Sequence, residues 1–233
     1  MQIYFPIPFL LITLTLLLRA EERTPSDERQ IKIWKPLSTA LVILVCLLSL
    51  TRSGCAYDVP YTLLILGGLL FSMAGDVLLI FQAKPKAFLA GLVAFLIAHL
   101  IYISAFIYAQ SSLKLGLNGA GEVATAVGVV LVGGVVYRYL SPGLGNMRVP
   151  VIAYIVVISA MVHRALAVAL VYTGAMTQPA LMVAGALLFY LSDAILAVNK
   201  FRFNGQLPRG RSWNLITYYA GQLLIALSAS FFV

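Results

Sequence analysis

The chain has 233 residues, of which 61% are hydrophobic and 10% charged, a composition that excludes a soluble globular domain. Spans of about 20 residues leave room for about seven to nine membrane helices and almost nothing else, so the fold class is all-α, a polytopic membrane bundle forming a single transmembrane domain over 1–233. The net charge of +8 lies in short loops between apolar runs, where orientation and anionic headgroups account for it, and no nucleic-acid partner is read from it.

The first apolar run, 3–18, has no basic residue before it and Arg19 after it, the reverse of a cleaved signal peptide, and reads as a retained helix. Residues 19–35 gather Glu21, Glu22, Asp27 and Glu28 among Arg23, Arg29 and Lys32, and read as an exposed loop. Pro36 opens a second helix, 36–50, at a favourable first-turn position. Cys46 and Cys55 show no metal-ligand spacing and are too few for a disulfide framework, so both read as structural. The turn TRSGCAYDVP leads to a third helix, 60–82, and the basic turn Lys84-Pro85-Lys86 to a fourth, 87–109, with His99 near its middle. A Gly- and Ser-rich linker precedes the fifth helix, 123–140, and the breaker SPGLGNMR precedes the sixth, 149–172, which holds His163 and Arg164. The seventh helix is 179–199, and after the basic loop Lys200 to Arg211 the eighth is 213–232.

The loop charges test this division. Loops one, three, five and seven hold Arg19, Arg23, Arg29, Lys32 and Lys35; Lys84 and Lys86; Arg138 and Arg148; and Lys200, Arg202, Arg209 and Arg211. Loops two, four and six hold only Arg52 and Lys114. Positive charge favours the cytoplasmic side, so the odd loops are expected there and both termini on the far side. The short loops suit a bacterial inner membrane, and a eukaryotic reticulum protein would share them.

Two aspartates stand inside apolar helices: Asp76 in GLLFSMAGDVLLIF and Asp193 in GALLFYLSDAILAVNKF. A carboxylate deep in a span costs about 2.5 to 3.5 kcal/mol even on lenient scales, so both read as functional. Each lies seven or eight residues before a lysine, Lys84 or Lys200, which puts both carboxylates about 10 to 12 Å inside the same face, where one cavity can hold them. The segments LLFSMAGD and ALLFYLSD also resemble each other, a short sign of an internal repeat. Paired intramembrane acids serve either an enzyme or a proton- or cation-coupled transporter. Helices interrupted by Pro or Gly at matching places, which a transporter would favour, are not seen.

GGLLFSMAGDVLLIF at 67–81, FLAGLVAFLIAHLIYISAF at 88–106, GALLFYLSDAILAVNKF at 185–201 and YYAGQLLIALS at 218–228 together resemble the lysoplasmalogenase, or YhhN-like, family of integral membrane proteins, and KPL at 35–37 fits its second helix. The resemblance implies an eight-helix enzyme that hydrolyses the vinyl ether bond of lysoplasmalogen to a fatty aldehyde and a glycerophospho-alcohol. Its catalytic candidates fall on Asp76 and Asp193, its substrate is a lysophospholipid drawn from membrane lipid, and neither cofactor nor metal is expected. His163-Arg164 is a departure from the family pattern.

Vinyl ether hydrolysis begins with proton transfer to the alkene carbon and passes through an oxocarbenium ion to which water adds. A protonated acid and a second group that steadies the cation and activates water are needed. Two carboxylates in an apolar site supply both, because desolvation and mutual repulsion keep the proton on one while the other stays ionised, as in a glycosidase pair. The residues leave open which is the acid. Lys35, Lys200 and Asn199 lie where a single-chain lipid would leave its phosphate. His99, placed about two turns deeper than the acids, offers a proton relay or a bond to Tyr102, and Tyr190, one turn before Asp193, offers a hydrogen bond at the site. Tyr218, Tyr219 and Gln222 are expected to line the cavity. Arg164 must face the interior and find a partner, and Glu122 favours the start of its own helix.

Overall fold

The structure is a computed structural model that describes residues 2–23, 26–51, 59–113, 115, 116, 118–172, 174 and 176–232. Arg52, Cys55 and Lys114 lie outside the described residues. Among the described residues all regular structure is helical: α1 (Pro6–Glu22), α2 (Glu28–Ser49), α3 (Val59–Ile80), α4 (Pro85–Ser112), α5 (Gly119–Leu140), α6 (Arg148–Val171), α7 (Thr177–Phe201) and α8 (Gly210–Ser228), with short 3-10 turns between and after them.

Seven of these helices, α1 to α7, are long and apolar enough to cross a membrane, and the chain is a multi-pass membrane protein. The helix that fails this measure, α8, is buried along most of its length, including Tyr218, Tyr219 and Gln222. A helix surrounded by other helices need not be apolar all round, because its polar groups find partners in protein instead of lipid. In contrast, α5 buries only Gly133 and Leu140, and its valines at 130 and 135 are 69% and 70% exposed, a surface suited to acyl chains.

Neighbouring helices close a ring in the order α2, α3, α4, α6, α7, α8, with α1 lying against α2 and α8 and α5 lying outside against α6. Small residues set the two tightest seams. A Cβ on Gly68 or Gly75 of α3 would meet the rings of Tyr102 or Phe95 of α4 at 2.2 and 2.6 Å. One on Gly185 of α7 would meet the Gly221 carbonyl oxygen of α8 at 2.9 Å. In a membrane, where lipid competes for apolar surface, such close backbone approach supplies much of the packing attraction.

The segment 19–35 differs from the expected loop. α1 continues to Glu22, and α2 begins at Glu28, capped by Asp27, whose carboxylate accepts the amide of Gln30 at 3.2 Å. Arg23 bonds Asp27 at 2.9 Å, and Lys32 pairs with Glu28 at 3.3 Å. Asp27 and Gln30 have the spacing of a capping box, and that signal outweighs Pro36, which stands inside α2 instead of at its start. Lys35 is therefore a helical residue aimed by α2. The other helices extend two to four residues beyond several of their expected ends, most at α4, which gains both Pro85 and Ser112.

Candidate active site

Buried positions recur along α3 at Ile65, Gly68, Leu69, Ser72, Gly75, Asp76 and Leu79, a helical stripe facing the ring interior. On α7 the stripe runs through Met182, Gly185, Ala186, Phe189 and Ser192. The acids therefore lie on, or beside, the inward faces of two helices on opposite sides of the ring.

Asp76 is 1% exposed and fully engaged. Its Oδ2 accepts the hydroxyl of Thr39 at 2.6 Å and that of Tyr218 at 2.7 Å, and its Oδ1 lies 3.4 Å from the Lys35 ammonium. The Tyr219 hydroxyl donates to the Lys35 backbone carbonyl at 2.9 Å, which ties α8 to the same turn of α2. Two hydroxyl donors and a cation form the environment of an ionised carboxylate.

The surroundings of Asp193 differ. Its Oδ2 accepts the Tyr154 hydroxyl of α6 at 2.5 Å, and His99 Nε2 of α4 lies 3.7 Å away. His99 therefore stands at the level of Asp193 and not two turns deeper. α4 has 28 residues, about 42 Å of helix, more than the roughly 30 Å hydrocarbon layer requires, so depth counted upward from its first residue is misleading. Between the acids stands a cluster of rings. Phe189 meets His99 at 4.6 Å and Tyr218 at 5.4 Å, and Phe95 meets Phe189 and Tyr218 at 6.0 and 5.8 Å, all edge to face.

Two hollows meet here. An apolar one, walled by Leu92, Phe95, Leu140, Ile155, Ile158 and Tyr190, has Asp193 and Tyr154 in its lining. A polar one, at the end of the ring where loops one, three and seven converge, is lined by Lys35, Gln82, Asn199, Lys200, Arg211 and Asn214. Leu79 and Leu196 line both, so they form the boundary between the two. Neither of these two hollows has both acids in its lining. Asp193 faces the apolar hollow, and Asp76 lies sealed behind Lys35, Thr39 and Tyr218.

The other expected residues separate accordingly. Lys200 Nζ donates to the Gln82 carbonyl at 3.2 Å and lies 4.4 Å from the Phe88 ring centre. The Asn199 side chain accepts the Leu207 amide at 3.0 Å, so it shapes the loop that carries the polar hollow. Tyr190 lines the apolar hollow, but the hydroxyl on Asp193 is that of Tyr154. Gln222 accepts the Tyr102 hydroxyl at 2.8 Å, a buried bond between α8 and α4 apart from both hollows, and Tyr102 is thereby committed away from His99. Thr39 and Tyr154 were not singled out in the sequence, where a hydroxyl in an apolar run looks like a packing position. Ser192 exchanges hydrogen bonds with Asn214 of α8, its hydroxyl donating to the Asn214 carbonyl at 3.1 Å and the Asn214 amide donating to the Ser192 carbonyl at 2.9 Å. The residue before Asp193 thus anchors α7 to α8, as Gly75 before Asp76 seats α3 on Phe95.

Arg164 finds partners away from this site. Its guanidinium donates to the side-chain Oε1 of Gln110 of α4 and lies 3.9 Å from Glu122 of α5, while His163 bonds Thr125 of α5 at 3.0 Å. This polar group fastens the otherwise lipid-facing α5 to α4 and α6.

Comparison with known proteins adds the following. The YhhN family matches residues 30–229. The chain is 38% identical over 165 residues to lysoplasmalogenase TMEM86A of Bos taurus, an alignment covering 70% of this chain and 63% of that protein. It is 37% identical over 204 residues to lysoplasmalogenase TMEM86B of Homo sapiens, covering 84% and 80%. It is 33% identical over 167 residues to a lysoplasmalogenase of Mycobacterium tuberculosis, covering 70% and 58%. The chain thus spans less than two thirds of the bovine and mycobacterial proteins it matches. No solved structure matches it.

Proposed function

The chain belongs to the YhhN family, and from that premise and the geometry of the two hollows we propose that it hydrolyses the vinyl ether bond of a lysoplasmalogen. The observation that carries the proposal is the junction at Leu79 and Leu196, where an apolar hollow with a carboxyl group in its lining adjoins a basin bearing Lys35 and Lys200. A single-chain alkenyl lipid has the same division: its chain enters the apolar hollow, its phosphate stays with the lysines, and its enol ether crosses the boundary beside Asp193. The curated relatives are named lysoplasmalogenases, and none lends support to a transporter.

In this reading the two acids have different roles. Asp193, whose neighbours are the Tyr154 hydroxyl and the His99 ring, carries the proton and delivers it to the alkene carbon. The resulting oxocarbenium ion takes up water at the carbon bonded to oxygen, and the Asp193 carboxylate removes a proton from that water, which restores the acid. Collapse of the hemiacetal breaks the bond to the glycerol oxygen and leaves an aldehyde and an alcohol; one water is consumed. The Tyr154 hydroxyl holds the carboxyl group in place, with the His99 ring beside it. Asp76 keeps a standing negative charge inside the ring while the cation forms and aims Lys35 at the basin. Because loops one, three and seven carry most of the basic charge, the basin faces the cytoplasm and the chain ends lie on the other side of a bacterial inner membrane.

The test is direct. Purified protein in detergent, given a 1-alkenyl lysophospholipid, should release free aldehyde, and a 1-acyl lysophospholipid should yield neither aldehyde nor fatty acid. Absence of aldehyde from the wild type overturns the proposal.

A further inference from the structure

Beyond the basin a third hollow continues outward. Glu21, Gly205 and Arg211 line both, as Leu79 and Leu196 line both the basin and the apolar hollow. The shared walls set an order from the interior outward: Asp193, then Lys35 and Lys200, then Glu21. Among the described residues Glu21 is the only carboxylate lining the basin. Its side chain, 14% exposed, is held by Arg211, whose Nη1 donates to Oε2 at 3.1 Å. A carboxylate has about four acceptor sites, of which this bond takes one. A zwitterionic lysophospholipid presents chain, phosphate and ammonium in the same order.

From this match we infer that Glu21 is a headgroup-reading residue that accepts the ammonium of an ethanolamine- or choline-type lipid while Lys200 and Lys35 hold its phosphate. The inference rests on the proposed lipid substrate and goes beyond it by naming the residue that reads the headgroup. Glu21 lies in α1, before residue 30, where the family match begins. Arg211 has two effects: it fixes the carboxylate at the junction, and it tempers the charge enough that an anionic phosphate can still pass.

The experiment uses saturated 1-O-alkyl lysophospholipids, which have no vinyl bond to cleave, so binding is read apart from hydrolysis. Full-length protein in detergent is titrated with the ethanolamine and the glycerol headgroup forms, and affinity is taken from the rise of the thermal unfolding midpoint with ligand. The wild type should bind the ethanolamine form about tenfold more tightly, the worth of one charge-assisted bond. In Glu21→Gln the two forms should bind within about twofold of each other, while Glu28→Gln, at an exposed position, should keep the wild-type preference. Lys200→Gln should weaken both forms alike. Equal affinities in the wild type, or an undiminished preference in Glu21→Gln, overturns the inference. If Glu21→Gln does not fold, equal affinities in the wild type still overturn the inference. A headgroup preference in a protein that releases no aldehyde would leave the inference standing and remove only the hydrolytic reading.

Discussion

Tyr154 of α6 donates a 2.5 Å hydrogen bond to Asp193 Oδ2 of α7, joining two neighbouring helices at the wall of the apolar hollow. The bond fixes which way the carboxyl group faces. Tyr154→Phe removes the hydroxyl and keeps the ring that packs on His99 at 5.3 Å. Steady-state kinetics should show kcat lower by about tenfold to a hundredfold with KM nearly unchanged, because an ill-aimed acid loses part of the general-acid contribution but not lipid binding. An unchanged kcat would remove Tyr154 from the site.

The two aspartates should separate in stability. Asp76→Asn leaves the Lys35 ammonium, 11% exposed, without its counter-charge, and breaking a buried pair costs about 3 to 5 kcal/mol. Asp193→Asn removes a group with one short hydrogen bond and an open apolar side, and should stay within about 1 kcal/mol of wild type. Thermal unfolding in detergent should therefore find Asp76→Asn clearly less stable and Asp193→Asn near normal, though both lose activity. Equal losses of stability would contradict the division of roles.

A pair of glycines tests the seam that places α7. Gly185→Ala drives a methyl group into the α8 backbone at Gly221 and should cost about 1 to 3 kcal/mol. Gly128→Ala on α5 meets open space and should be neutral or slightly stabilising, since alanine favours helix. The contrast is read from the two unfolding midpoints, and similar midpoints would mean that α7 and α8 do not approach this closely.

The orientation has its own readout. A reporter fused after the last residue should give a non-cytoplasmic signal, and a cytoplasmic one would place the basin on the opposite side of the membrane.

Much of this arrangement was legible in the sequence because a bilayer leaves few choices. Apolar runs of span length mark the helices, and the two acids within them stand out because a carboxylate is costly there. The α2 start was misread because Pro36 is a conspicuous signal, whereas the Asp27 to Gln30 cap is made of residues that look equally at home in a charged loop. That error hid the pairing of Lys35 with Asp76, since a lysine in a loop has no fixed direction and one in a helix does. His99 was set too deep because residue counting assumes upright helices of equal start, which a 28-residue helix does not satisfy. Tyr154 and Thr39 carry no periodic or charge signal at all; only the packing of α6 against α7 and of α2 against α3 turns their hydroxyls toward the acids.

Central to the account is that Asp193 delivers a proton to carbon. Hydrolysis of a 1-alkenyl lysophospholipid in heavy water, with the aldehyde reduced at once and analysed by mass spectrometry, reads that transfer directly. Wild-type protein should place one deuterium on the carbon next to the former carbonyl, and Asp193→Asn should release aldehyde no faster than a protein-free control. Aldehyde lacking that deuterium, or undiminished release from Asp193→Asn, would contradict the account.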